Sequence, residues 1–173
     1  MTTLPRPTST SWTRIGVCPA AVLTDRLHHA GLSPDGRWCF LAGTYDEAYG
    51  VWDIRHHQLV WLEDGDQEVP EHPDLHAWVS AGYITLDALP VRSRFRVFGL
   101  AHNYPLVVNQ SFGIRVEISG ETVALVDGAT QQVQQHLAYT SFSGDWVFAS
   151  FSDNGAVLAV LEPYSVTFFG PES

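Results

Sequence analysis

The sequence predicts an all-β fold of antiparallel strands, and three observations support this class. Short apolar or alternating runs recur from Trp12 onward, with turn residues between them. Aromatic residues, which favour strands, make up 12% of the chain. Helical periodicity is scarce, and its best example, DGATQQVQQHLAY at 127–139, is better interpreted as a turn followed by a strand. We therefore expect a flexible tail over 1–11 and a single β domain over 12–173.

The first group of strands surrounds a strong turn signal. Ser33-Pro34-Asp35-Gly36 predicts a β-turn, because proline presets one backbone dihedral angle and glycine accepts a positive one. The links between the flanking runs are short enough for hairpins. These runs predict strands at 26–32, 37–43, 49–54 and 58–63.

Three further groups follow along the chain. The first, 75–99, is the least regular, because it contains Pro90 and only two or three clear strands. The middle group includes GIRVEISGETVALVDG, whose alternation predicts a half-buried hairpin turning at Ser119-Gly120. Its strands are predicted at 105–111, 113–119, 121–127 and 132–137. The C-terminal group, with a hairpin signal at Asn154-Gly155, predicts strands at 138–143, 145–152, 156–163 and 165–170.

The groups have a repeating length. The strands that close them begin near Gln58, Arg94, Gln132 and Ser165, which are 36, 38 and 33 residues apart. Two of these strands follow similar sequences, since GVWDIRHHQLV and ALVDGATQQVQ each contain an apolar pair, an aspartate, a turn and an apolar strand. The spacing predicts up to four units of three or four strands each.

Residues 31–63 contain four motifs in order: the turn at 33–36, the strand CFLAG, the tripeptide VWD at 51–53, and an outer strand from Gln58. In this order they resemble one repeat of the WD40-type β-propeller family, and the C-terminal group resembles it more weakly. The resemblance implies a propeller-like array of three or four blades, whereas closed propellers have ~4–8. A small closed ring is one expectation, and a ring completed by another subunit, with 11–17 as a shared edge strand, is a second. A β-sandwich or a barrel is the alternative fold.

The charge balance restricts the expected partners. The chain contains nine basic residues, all arginine, and 19 acidic ones, which gives a net charge of -10. Such a surface repels nucleic acid and anionic membranes, so we expect protein partners, including self-association. The sequence has no apolar run of bilayer length and no apolar secretion signal at its N-terminus, which predicts a cytoplasmic protein.

Residues suited to chemistry are sparse. His72, Asp74 and His76 alternate, so on a strand they would share a face, which makes them weak candidates for a metal site. Cys39 lies in the middle of a predicted strand and is expected to be a buried, inert thiol. We recognise no nucleophile motif, phosphate loop or cofactor motif. The sequence therefore predicts no catalytic residues, no cofactor and no enzyme activity.

Binding residues are the remaining candidates. Arg92, Arg94 and Arg96 alternate with apolar residues, which predicts a basic stripe on one face of a strand. The stripe suits a carboxylate-rich partner, or self-association against the acidic loop at 63–74. Candidate interface anchors, each with a core position as the alternative, are Trp12, Trp61 and Trp78.

Together these features predict a non-enzymatic interaction module or scaffold subunit of a larger, bacterial complex. The alternative is a small acidic inhibitor, or immunity-type protein, that blocks a basic partner. A barrel or cupin-like metal-binding protein that uses the histidines near residue 74 is the third hypothesis.

Overall fold

The computed structural model describes residues 9–43, 48–64, 79–88, 91–100, 102–139 and 141–173. Fourteen strands and one short 3-10 helix, Ala20–Val22, lie in these ranges. The first seven strands are β1 Trp12–Pro19, β2 Leu27–Leu32, β3 Trp38–Gly43, β4 Ala48–Asp53, β5 Gln58–Asp64, β6 Tyr83–Ala88 and β7 Val91–Gly99. The other seven are β8 Val108–Asn109, β9 Ile114–Ser119, β10 Thr122–Asp127, β11 Val133–Leu137, β12 Phe148–Phe151, β13 Leu158–Glu162 and β14 Ser165–Pro171.

The strands form three antiparallel sheets, which confirms the predicted all-β class. The central sheet has the order β1-β14-β13-β12, the outer sheet β11-β10-β9-β8, and the six-stranded sheet β5-β4-β3-β2-β7-β6. None of the three closes on itself within the described ranges, so the barrel alternative is wrong there. No helical segment among the described residues has the length and apolar character needed to span a membrane.

The predicted units correspond to the sheets with two corrections. The group at 75–99 does not form its own sheet, because its hairpin of β6 and β7 joins β2, with Ala30 opposite Phe98. The strand predicted at 138–143 is wrong for its described residues, which form loops and bends. The fourth strand of the central sheet is instead β1, which pairs with β14 from Trp12 opposite Pro171. The candidate shared edge strand is thus paired within its own chain.

The central sheet lies between the other two, which the side chains of β13 show directly. Leu158 and Val160 pack in a core cluster with the outer sheet, while Ala159 and Leu161 pack in a second cluster with the six-stranded sheet. All five residues of β13 are buried. Burial on both faces explains why this strand has a continuous apolar sequence rather than an alternating one. A third cluster, around Phe40, covers the other side of the six-stranded sheet.

Candidate functional site

Turns from all three sheets meet at one end of the molecule, which we call the turn end. The backbone N–H of Asn154, between β12 and β13, donates to the carbonyl of Pro34, between β2 and β3, at 2.9 Å. The Asn154 side chain donates to the carbonyl of Asp35 at 3.0 Å. Asn109, at the end of β8, donates from its side chain to the carbonyl of Gly155 at 2.8 Å. The three sheets are therefore fixed to one another at the turn end.

Two of these turns have the same internal hydrogen bonds, as expected for structural repeats. In the first, the backbone N–H of Trp38 donates to the Ser33 hydroxyl at 2.9 Å, and in the second the N–H of Val157 donates to the Ser152 hydroxyl at 3.1 Å. Each serine hydroxyl also donates to the side chain two residues later, at 2.7 and 2.8 Å. The glycines that follow have φ of +71° and +72°, which confirms the turn predicted at 33–36.

The predicted basic stripe runs along β7 toward the turn end. Arg92 and Arg94 are exposed and Arg96 is half-buried, whereas Phe95 and Val97 on the opposite face are buried. Within the described residues, the stripe meets the central sheet at one carboxylate, Asp153. Nε of Arg96 donates to Oδ1 of Asp153 at 2.8 Å, and Nη2 of Arg94 lies 3.8 Å from Oδ2. The binding role of the stripe stays a prediction.

Tyr83 on β6 completes this cluster. Its ring lies against both guanidinium groups, with centroid distances of 4.7 Å to Arg94 and 4.9 Å to Arg96, a cation–π arrangement. Its hydroxyl donates to Asp153 at 3.0 Å and accepts from Arg96. Burial, and then the hydrogen bond to Asp153, raise the pKa of Tyr83 despite the nearby arginines. The phenol therefore keeps its proton and acts as a donor.

Two guanidinium groups share a single carboxylate here, so the cluster keeps an excess of positive charge. It borders a cleft of about 470 Å³ whose other wall includes Leu106, Val108 and Asn109. Two apolar side chains with large exposed fractions lie here: Val108, which lines the cleft and is 47% exposed, and Tyr104, whose carbonyl accepts from Arg96 and which is 48% exposed. The arrangement is suited to a ligand that carries both anionic and apolar groups.

The other residues selected from the sequence have different positions. Trp12 is 2% exposed and packs edge-on against Phe112 and Phe151, with both centroid distances 5.5 Å, so it occupies the core position left open as its alternative. Trp61 is partly buried beside the third core cluster. Trp78 and the weak metal candidates lie outside the described residues. Those candidates are His72, Asp74 and His76. Among the residues that are described, no three His, Cys, Asp or Glu side chains form a group that could hold a metal ion.

The two cysteines are unpaired and buried in the cluster between the central and six-stranded sheets. Burial raises the pKa of Cys18 to about 12 and that of Cys39 well above its ordinary value. Both thiols are therefore protonated at neutral pH, and a thiol is a much weaker nucleophile than a thiolate.

Asp153 and Tyr83 were not identified from the sequence. Asp153 lies in the turn Ser152-Asp153-Asn154-Gly155, which corresponds to the turn at 33–36, and this similarity was the available signal. Tyr83 lies in the least regular group, at 75–99, so its position could not be predicted by comparison with another unit.

No protein-family model matches the chain, and no curated protein matches it at a significant level.

Proposed function

We propose that the protein is a non-enzymatic interaction module that binds an acidic, partly apolar segment of a partner protein at the turn end. The observation that carries the proposal is the cluster of Arg94, Arg96 and Tyr83 around one carboxylate, beside exposed apolar side chains. In a scaffold complex, this cleft is the contact surface of the subunit.

The charge of the cluster supports an acidic partner. The side chain of Arg94 is 58% exposed, and its contact with Asp153 at 3.8 Å is long, so its N–H donors can reach a second carboxylate. Guanidinium and carboxylate groups form paired, charge-assisted hydrogen bonds. Because the chain as a whole carries a net charge of -10, this basic cluster also favours the correct orientation of an acidic partner during association.

The exposed apolar side chains near the cleft support a bound segment that contains apolar as well as acidic residues. Large exposed apolar groups clustered near a cleft are typical of contact surfaces. Aromatic side chains such as that of Tyr104, which is 48% exposed, are the groups that often dominate binding energy. We therefore expect the bound segment to alternate acidic and apolar residues.

The internal repeats support a propeller-like origin for this scaffold. The turns at 33–37 and 152–157 have equivalent hydrogen bonds, and β2 to β5 follow the strand order of the unit that resembles a WD40-type repeat. The hairpin of β6 and β7 differs from that unit, because it extends the sheet beyond β2. In our proposal this added hairpin is what contributes Tyr83 and the arginines to the cleft.

The test is fluorescence anisotropy with a labelled peptide of alternating glutamate and phenylalanine. Arg94→Glu should weaken binding about tenfold or more, because it replaces a donor with a like charge. Arg26→Glu is the matched control, since Arg26 lies at the opposite end, near Tyr164 in the turn between β13 and β14. Equal binding by wild type and Arg94→Glu, or an equal loss in the control, would overturn the proposal.

A further inference from the structure

A second cleft at the turn end is built on the turn between β4 and β5. Asp53 closes this turn, since one carboxylate oxygen accepts from the backbone N–H groups of Arg55 and His56, each at 3.0 Å. The other oxygen lies 2.9 Å from Nδ1 of the His56 ring. Because a carboxylate accepts, Nδ1 carries a proton and Nε2 is directed away from Asp53. The Asp53 side chain is 3% exposed and that of His56 56%, so the buried carboxylate holds an accessible imidazole.

His57 forms a wall of the cleft against strand β1. Its ring packs on Gly16, where β1 has an irregular register with β14. A Cβ atom at Gly16 would lie 2.7 Å from Cε1 of His57, which is closer than real Cβ contacts. Glycine at this position therefore allows the turn to approach the edge of the central sheet. The same approach brings Ile15, which is 40% exposed, into the cleft.

The cleft combines an apolar floor with a basic rim. Its volume is about 580 Å³, and Ile15, Ile54 and Val157 supply the apolar surface. Of these, Ile54 and Val157 are 3% and 6% exposed. The basic side chains that line it are Arg37, Arg55, His56 and His57.

One carboxylate lies among the lining residues, and it is already engaged. Oδ1 of Asp35 accepts from the Ser33 hydroxyl at 2.7 Å and from the backbone N–H of Arg37 at 3.0 Å. The guanidinium of Arg37 lies over the ring of Trp38, 4.2 Å from its centroid, rather than on Asp35. Two guanidinium groups, those of Arg37 and Arg55, therefore line the cleft, while the Asp35 carboxylate is engaged and that of Asp53 is buried behind His56.

We propose that this cleft is a binding site for a small organic anion with an apolar body, of the carboxylate or sulfonate class. The apolar body packs on Ile54 and Val157, and the anionic group lies at the rim near the guanidinium groups of Arg37 and Arg55. A concave site with an apolar floor and a few polar groups that fix orientation is the usual form of a small-molecule site. The proposal is independent of the protein partner, because the cleft shares no lining residue with the one at Arg96.

The test is a fluorescence titration with anilinonaphthalene sulfonate, an aromatic sulfonate that becomes bright in apolar sites. The titration uses the Arg94→Glu variant as its background, so that the cleft at Arg96 does not contribute. There we expect saturable binding at one site, and adding Arg55→Glu should weaken it about tenfold or more. Ile15→Asp, on the wall of the cleft, is a second variant that should have the same effect. The uncharged analogue N-phenylnaphthylamine should bind much more weakly than the sulfonate.

Two controls separate this site from general effects of charge. Ala129 occupies, in the turn between β10 and β11, the position that Arg55 occupies here, so Ala129→Glu places a glutamate at the equivalent position at the same end and should leave affinity unchanged. Arg26→Glu makes the same change of charge as Arg55→Glu, but at the opposite end, and should also leave affinity unchanged. The proposal is wrong if Arg55→Glu and Ile15→Asp both bind like the Arg94→Glu background, if the uncharged analogue binds as tightly, or if Arg94→Glu alone removes binding.

Discussion

The turns at 53–57 and 127–131 are two versions of one structure. Each follows the third strand of a meander and is capped by the aspartate that ends it. Asp53 accepts from the N–H groups two and three residues later at 3.0 Å each, and Asp127 does the same at 2.8 and 2.7 Å. The fifth residue of each turn, His57 or Gln131, has a positive φ, 54° or 62°. That left-handed geometry belongs to the turn type, so it is not itself a mark of function.

The turns differ in what surrounds the capping carboxylate. Asp53 is buried and its second oxygen is held by the ring of His56, whereas the second oxygen of Asp127 accepts from the exposed amide of Gln134 at 2.8 Å. Hydrogen bonds lower the pKa of both carboxyls, although for Asp53 they must first outweigh the opposite effect of burial. One backbone design thus gives a solvated connection in one sheet and the wall of a cleft in another. The comparison teaches that the two turns share one backbone geometry, while a few side chains around the capping carboxylate determine what each turn can bind.

Removing the capping carboxylate should have the most different effects on the two turns. Asp53→Ala removes the charged acceptor of three part-buried hydrogen bonds, two from backbone N–H groups and one from the His56 ring, so we expect the free energy of unfolding to fall by about 1.5–3 kcal/mol. Asp127→Ala should have a clearly smaller effect, because water can replace the carboxylate at an exposed turn. Urea unfolding of both variants measures the difference. Equal losses would show that the buried position of Asp53 contributes nothing.

Lowering the pH should reproduce part of the stability loss that removal of the Asp53 carboxylate causes. The pKa of Asp53 is lowered in the folded protein, so its contribution to stability is fully present above the ordinary value near 3.8 and is lost as the pH falls below it through the folded pKa. Asp53→Asn should therefore be less stable than the wild type at neutral pH, and the gap should narrow as the pH falls below about 4. Unfolding midpoints across this range give the answer, and a gap that is constant with pH would contradict the linkage.

The smallest expected effect concerns the contact between the turn and β1. Gly16→Ala places a methyl group against the ring of His57 and should cost about 1 kcal/mol as that ring is displaced. The double variant with His57→Gly should recover most of this loss, since it removes the clashing ring. A double-variant cycle with no coupling would mean that the turn does not pack on β1 in solution.

Strands whose pairing is local could be predicted from sequence. β9, β10 and β13 follow from alternation or from a continuous apolar run, and their turns follow from Ser119-Gly120 and Asn154-Gly155. Pairings between distant segments left no local signal. The joining of β7 to β2 and of β1 to β14 depends on edges that become adjacent only in the folded sheets.

The residues of the two clefts show the same contrast between local signals and contacts that are distant in sequence. The alternation of Arg92, Arg94 and Arg96 was visible in the sequence. Asp153, the common partner of Arg94 and Arg96, is 57 positions from Arg96 and could not be found by spacing. The aspartate shared by the two turn sequences was also visible. Aspartate often accepts from the backbone just after it, which was a signal for both caps, although no cap was predicted at either position. The burial of Asp53 could not be predicted from the sequence, because it depends on how the sheets pack.

The pairing of β1 with β14 has a consequence for the order in which the protein folds. During synthesis from the N-terminus, β1 emerges first among the described strands, yet its partner emerges last, after Trp12 and Pro171 have been separated by 159 positions. The strand therefore lacks its native partner until β14 is synthesised. In the two flanking sheets, by contrast, every pair except β2 with β7 joins strands that are consecutive in the chain. Contacts so distant in sequence slow folding. The middle layer of the molecule is the last to be completed, and a nascent chain would be most exposed to aggregation at that edge.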